Sequence, residues 1–162
     1  MPASIWRRRA LPLVIAILIC EGVGALAGIA TQSSVNTWYP TLAKPSFTPP
    51  DWLFAPVWIT LYAMMGVAAA LIWQRRKRTS DGRPALIVFG LQLVLNAAWS
   101  VVFFGARSIS GGLLVIIVLL AAILETMRRF DRIHRPAMLW LVPYLLWVSY
   151  ATALNASLWG LN

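Results

Sequence analysis

Three stretches of otherwise apolar sequence carry amides and aromatic rings at helical spacing. Gln92, Asn96, Trp99 and Phe103 recur at intervals of four, three and four, so a helix there presents two amides followed by two rings on one face. Trp140, Tyr144, Trp147, Ala151 and Asn155 repeat the pattern, and Trp58, Tyr62 and Met65 give a third such face. Polar groups in a long apolar helix cost free energy unless they meet a partner or a cavity. Three such faces brought together make an aromatic-walled pocket with a few hydrogen-bonding groups, the usual form of a site for a flat hydrophobic ligand. The same residues also suit interhelical packing, with amides bonding between helices and rings filling the core, and the pattern alone leaves both readings open.

Conventional catalytic sets are missing. The single histidine, His134, falls in a basic connector and reads as a solvated loop residue. Cys20 is the only cysteine and lies mid-stretch, which leaves neither a disulfide framework nor a thiolate metal site within one chain. No P-loop, nucleophile elbow or paired carboxylates occur, so no metal and no resident cofactor is expected, and hydrolase and haem-ligating readings are poor. Two acids sit in apolar sequence. Glu125 is within one helical turn of Arg128 and Arg129 and reads as structural. Glu21 has no cation at its depth and is the functional candidate, expected to be protonated, hydrogen-bonded or open to a cavity.

These residues are positioned by five apolar stretches, approximately 11–30, 53–73, 85–106, 111–127 and 137–158. Each is near the ~20 residues that an α-helix needs to cross a bilayer. The expected fold is all-α, a single polytopic five-helix transmembrane bundle over residues 1–162. Its loops are too short for a soluble domain, and 60% of the chain is hydrophobic. If the amino terminus is cytoplasmic, Arg7, Arg8, Arg9, Arg75, Arg76, Lys77, Arg78, Arg83, Arg128, Arg129, Arg132 and Arg135 all fall inside. Only Lys44 and Arg107 fall outside, which predicts that orientation and an external carboxy terminus. Topology therefore accounts for the net charge of +9, and no nucleic-acid partner is expected. The first stretch imitates a secretory signal through its arginines and Ala25-Leu26-Ala27. It runs past the usual length, however, and carries Glu21, so it is read as a retained span.

The only long loop, 31–52, holds Trp38, Tyr39, Pro40, Lys44, Pro45, Phe47, Pro49 and Pro50. That density of rings and prolines suggests a stiff folded lid, with a passive interfacial anchor as the alternative. Pro84 and Pro136 suit the first turns of the third and fifth helices. Pro143 is expected inside the fifth span, bending it. Gly24 and Gly28 give a GxxxG spacing that hints at close helix contact within or between chains.

Three segments carry a family resemblance. Trp38-Tyr39-x-x-Leu42-x-Lys44-Pro45-x-x-x-Pro49-Pro50-x-Trp52-x-Phe54-x-Pro56-Val57-Trp58-x-x-Leu61-Tyr62-x-x-Met65-Gly66 is similar to the signature of the TspO / translocator protein family, also called tryptophan-rich sensory proteins or peripheral benzodiazepine receptors. Gln92-Leu93-x-Leu95-Asn96-x-x-Trp99-Ser100-x-x-Phe103-Phe104 and Val142-Pro143-Tyr144-Leu145-x-Trp147, followed by Ala151-x-x-Leu154-Asn155, extend the match. The resemblance implies a five-helix bundle, usually a homodimer, with a pocket capped by the first loop. It implies binding of porphyrins and other tetrapyrroles, of synthetic isoquinoline and benzodiazepine ligands and, in some members, of sterols. By similarity Trp38, Tyr39, Trp52, Gln92, Asn96, Trp147 and Ala151 would line the site. Some members degrade protoporphyrin with light and oxygen, with the tryptophans matching Trp38 and Trp147 implicated as catalytic. Sterol binding is not expected here, because no Lys or Arg follows Tyr150.

The resulting expectation is a membrane-embedded tetrapyrrole-binding protein acting in sensing, transport or disposal, in a bacterial inner membrane. A flat ring would stack on tryptophan and tyrosine faces, its edges would meet the amides, and Lys44 would pair with a propionate. Oxidative porphyrin breakdown and proton-coupled export through Glu21 are the competing expectations.

Overall fold

The computed structural model describes residues 3–162, with side-chain surroundings from residue 10 onward. The surroundings of Arg7, Arg8 and Arg9 lie outside the described residues. Five long helices follow one another: α1 (Ala3–Thr37), α2 (Asp51–Trp73), α3 (Gly82–Ser100), α4 (Ile109–Leu139) and α5 (Val142–Leu161). No strand occurs among the described residues. Neighbours in space are α1 with α2, α2 with α5, α5 with α4, α4 with α3 and α3 with α1, and α2 also touches α3 and α4. This closes a ring of five helices, antiparallel at every contact around it except that of α3 with α1, which run the same way. The carboxy end of α2 and the amino end of α3 share the basic end, opposite the lid.

Four helices are long and apolar enough to cross a membrane. At 20 residues α5 is long enough too, since ~1.5 Å per residue gives ~30 Å, but Tyr144, Ser149, Tyr150, Thr152 and Asn155 lower its hydropathy. These polar groups find partners inside the protein. Ser149 and Thr152 donate to the carbonyls of Leu145 and Val148, and Tyr144 and Asn155 bond across the bundle.

Glycine permits a close contact between α1 and α2. A Cβ on Gly66 would lie 2.5 Å from the Ile17 Cα, so only a bare backbone lets α2 rest on α1 there. One on Gly24 would strike the Tyr62 ring at 2.2 Å. Gly28, by contrast, faces open space. The GxxxG spacing therefore divides, one glycine serving contact within the chain and the other facing outward.

Several expected boundaries move. The first helix continues seven residues beyond Ala30 to Thr37, with Thr31 Oγ1 donating to the Ala27 carbonyl at 2.8 Å and Thr37 Oγ1 to Ser33 O at 2.8 Å. The fourth runs past Met127 and bends at His134, whose backbone is extended (φ −162°, ψ 96°), because Pro136 supplies no N–H to continue the ladder. Its imidazole, in the connector at the basic end, is held below the ordinary pKa first by partial burial and then by the Arg75 charge. Pro136 opens the short helical segment after this bend. Pro143 does not bend a span: α5 begins at Val142, so the proline occupies its first turn, where a missing N–H costs nothing.

Candidate ligand-binding site

The lid is ordered and fastened at both ends. After Trp38 a 3₁₀ turn spans Tyr39–Thr41, with Thr41 Oγ1 donating to Trp38 O at 2.7 Å. A turn at Ser46–Phe47 follows, closed by the Thr48 N–H donating to Pro45 O at 3.1 Å, and Pro50 ends the lid at the start of α2. Across the lid Asn162, which caps the carboxy end of α5, acts as a clasp. The Ala43 N–H donates to Asn162 Oδ1 at 2.9 Å, and Asn162 Nδ2 donates to Ala43 O at 3.0 Å. The Tyr150 hydroxyl donates to Phe47 O, and their rings meet edge-on. The passive-anchor alternative does not account for these bonds.

Beneath the lid two groups of aromatic rings line the bundle. The first begins with Trp38 and Tyr39, which meet Phe103 at centroid distances of 5.7 and 6.4 Å. It continues through Trp99, stacked on Phe103 at 5.9 Å, to Trp58 at 6.2 Å, and from there to Tyr62 and Tyr144. The second runs Phe47, Tyr150, Trp147, Phe54 at 6.2, 5.6 and 6.0 Å. Trp38 and Trp147 thus belong to different groups. Lys44 places its ammonium 4.2 Å above the Tyr39 ring, a cation–π contact, and it has no carboxylate partner among the described residues.

A turn of π-helix makes the first group possible. Between Val101 and Gly105 the chain gains a residue per turn, marked by the Ala106 N–H donating to Val101 O at 2.8 Å. Adjacent Phe103 and Phe104 consequently both face the lid, 4.7 Å apart, and Phe104 reaches Tyr39 and Trp99.

The amides of α3 are closed off in this state. Tyr62 donates to Asn96 Oδ1 at 2.6 Å, Asn96 Nδ2 donates to the Tyr144 hydroxyl at 2.9 Å, and that hydroxyl donates to Gln92 Oε1 at 2.8 Å. Gln92 Nε2 completes the set on Met65 Sδ at 3.8 Å. Gln92, Asn96 and Tyr144 are at most 2% exposed, so no water competes for these bonds. Trp99 Nε1 donates to Asn155 Oδ1 at 3.2 Å, which ties the first ring group to α5. One donor is left over. The Trp147 indole N–H is buried and has no acceptor among the described residues.

Of the residues singled out in the sequence, Trp38, Tyr39, Trp58, Tyr62, Gln92, Asn96, Trp99, Phe103, Tyr144, Trp147 and Ala151 converge within the ring of helices, and Lys44 sits at its lid. Trp52 does not converge: it is 72% exposed on the first turn of α2. Trp140 is exposed at the basic end. Glu125 makes ion pairs of 2.6 Å with both Arg128 and Arg129. Glu21 is half-buried on α1 beside buried Cys20 and has no ion pair among the described residues. Phe54, Phe104, Tyr150 and Asn162 join the site without having been singled out. Phe54 was within reach, since 54, 58 and 62 continue one helical stripe. Asn162 carries no sequence signal for its clasp.

The TspO/MBR family model matches residues 16–160. The tryptophan-rich protein TspO of Chlorobaculum tepidum is 41% identical over 155 residues, covering 96% of this chain and 98% of its own. Protein CrtK of Rhodobacter capsulatus is 36% identical over 143 residues, 88% of each chain. The translocator protein of Bos taurus is 34% identical over 142 residues, covering 86% of this chain and 83% of its own.

Proposed function

Because the chain belongs to the TspO/MBR family and is an integral membrane protein, we propose that it binds porphyrins and related tetrapyrroles within the helix bundle and acts in their sensing, transport or disposal. The observation that carries this reading is the orphaned Trp147 N–H under the fastened lid. A buried donor without an acceptor costs ~1–3 kcal/mol, a cost that a ligand acceptor recovers on binding. A planar macrocycle entering between the two ring groups would stack on both, accept from Trp147 and bring a propionate to Lys44. Gln92 and Asn96 would meet its edge by exchanging their bonds to Tyr144. Flat isoquinoline and benzodiazepine ligands fit the same chemistry. Sterol binding is not part of the proposal.

The basic end is taken as cytoplasmic, in a bacterial inner membrane, by the distribution of cations. A homodimer is taken to form on an outward face such as the one that includes Gly28. Titration with protoporphyrin in the dark, followed by illumination in air, tests the reading. Trp147→Phe should bind about fivefold more weakly, one hydrogen bond being worth ~1 kcal/mol, while exposed Trp159→Phe should match the parent. Unchanged affinity in Trp147→Phe would overturn the proposed site.

Porphyrin breakdown at this site is the second reading, favoured by the position of Trp38 and Trp147 on opposite ring groups, where one ligand would touch both indoles. Trp38→Phe and Trp147→Phe should then still bind porphyrin, the latter about fivefold more weakly, and lose degradation. Bilin-like products forming catalytically in darkness would make it an enzyme. Export through Glu21 predicts that Glu21→Gln abolishes a pH-driven porphyrin flux, and an identical flux in the variant and its parent removes that reading.

A further inference from the structure

At the basic end, away from the lid, α1, α2 and α3 leave a cleft of about 420 Å³ that none of the site residues enters. Its walls are almost wholly apolar, with Leu11, Ile15, Ile19, Trp73, Leu86 and Phe89 the large side chains. Directly beyond it, sharing Pro12 and Trp73, lies a shallow basin of about 880 Å³ rimmed by Arg75, Arg76, Lys77 and Arg78. An apolar channel thus opens onto four consecutive cations.

These cations are not neutralised by the protein. Among the described residues the only ion pairs are those of Glu125 with Arg128 and Arg129. Arg75 and Arg76 use one nitrogen each to cap the end of α2, on Leu71 O at 3.0 Å and Trp73 O at 2.6 Å, and the Arg76 guanidinium lies 3.6 Å over the Trp73 ring. Their remaining side-chain donors, and those of exposed Lys77 and Arg78, meet no acceptor among the described residues. Trp73 itself is partly exposed at the rim, the depth at which indoles rest between hydrocarbon and headgroups.

We propose that this cleft holds one anionic phospholipid, its acyl chain along the α1–α3 channel and its phosphate on the cations 75–78. Charge complementarity selects this occupant over a second copy of the chain. A two-fold dimer formed across this cleft would set one such cluster beside its duplicate, unlike a dimer on the Gly28 face. A solvated connector would need the cations but not the channel, and a lipid annulus would need the channel but not the cations. A bound anionic lipid uses both, and the site is independent of any ligand under the lid.

The test is native mass spectrometry of the full chain released from detergent micelles containing equal dioleoylphosphatidylglycerol and dioleoylphosphatidylcholine. The proposal expects retention of phosphatidylglycerol in strong preference to phosphatidylcholine. Each surface cation contributes about fivefold to affinity for an anionic headgroup, so the double variant Lys77→Gln, Arg78→Gln should lose about 25-fold of that preference. Ile15→Trp fills the channel from a half-exposed position without changing charge, and should also release the lipid. Equal retention of the two lipids by the parent protein, which requires no variant to fold, overturns the proposal. So does full retention in a normally helical Ile15→Trp, which would leave only a headgroup-binding loop. Displacement of the lipid by millimolar inorganic phosphate would mark a plain anion site, and loss of a dimer peak in Ile15→Trp with lipid retention unchanged would mark a contact between copies.

Discussion

Replacing Tyr144 by Phe deletes one oxygen that serves two amides. In the parent chain that hydroxyl accepts from Asn96 Nδ2 at 2.9 Å and donates to Gln92 Oε1 at 2.8 Å, all three residues being nearly inaccessible. Phe fills almost the same volume, so packing against Trp58 survives and the loss is polar. Leaving two buried groups unpaired would cost ~2–6 kcal/mol in a water-soluble core. In a membrane bundle the unfolded chain also finds partners, and interhelical bonds average ~0.6 kcal/mol with a maximum near 1.7. Two bonds then give ~1.2–3.4, and we expect about 2 kcal/mol, because the site is dry and Asn96 keeps only its bond from Tyr62. Tyr62→Phe removes a single bond and should cost about half as much. The assay is reversible unfolding in mixed micelles with rising denaturing detergent. A Tyr144→Phe variant within ~0.5 kcal/mol of its parent, or a Tyr62→Phe variant as damaging as Tyr144→Phe, would refute the network as the source of this stability. If the amides also meet the ligand, protoporphyrin should restore more stability to Tyr144→Phe than it adds to the parent, since the ligand supplies the missing partners.

Gly66→Ala should destabilise the chain by ~1–3 kcal/mol in the same assay, because its methyl meets the Ile17 backbone, whereas Gly90→Ala should be neutral, as its methyl meets nothing. Asn162→Ala removes both bonds to Ala43, and protease cleavage of the lid should accelerate about fivefold, ~1 kcal/mol of local stability being lost; unchanged cleavage would deny the clasp. Reporters placed after Asn162 and near Asp81 should report opposite sides of the membrane, and finding both on one side would end the five-span reading.

Apolar length and helical spacing carry most of the architecture in the sequence, because a bilayer-crossing helix must satisfy its backbone internally and cannot easily be anything else. The convergence of Gln92, Asn96, Tyr62 and Tyr144 follows from the same spacing. What spacing left open was whether amides face a cavity or one another, and in this state they bond to tyrosines on α2 and α5. The continuation of α1 to Thr37 was hidden because polar 32–37 looks like loop, yet an existing helix extends cheaply once nucleated. Trp52 and Phe54 illustrate the limit of a motif. Both stand in the same signature segment, but two positions on a helix are ~200° apart, so one faces out and the other meets Trp147. The start of α5 was misplaced because Pro136 and Pro143 both suit a first turn, and the break at Trp140–Leu141 that separates α4 from α5 lies in apolar sequence without a polar or glycine signal.

The π-turn at Val101–Gly105 changes what a deletion means in this chain. In a loop, losing one residue shortens a connection. Here the turn already holds one residue more than an α-helix needs, so removing Val101 or Val102 would let the ladder close regularly with little change in length. The direction of the chain downstream is nearly kept as well, because a π-turn spends one extra residue on about one turn. What changes is the wall itself: at regular spacing adjacent Phe103 and Phe104 stand ~100° apart and no longer both face the lid, so ring contacts to Trp38, Tyr39 or Trp99 are given up. Single-residue length variation in this segment therefore decides how many rings the lid meets, while Ser108, the cap of α4, is approached from the same side.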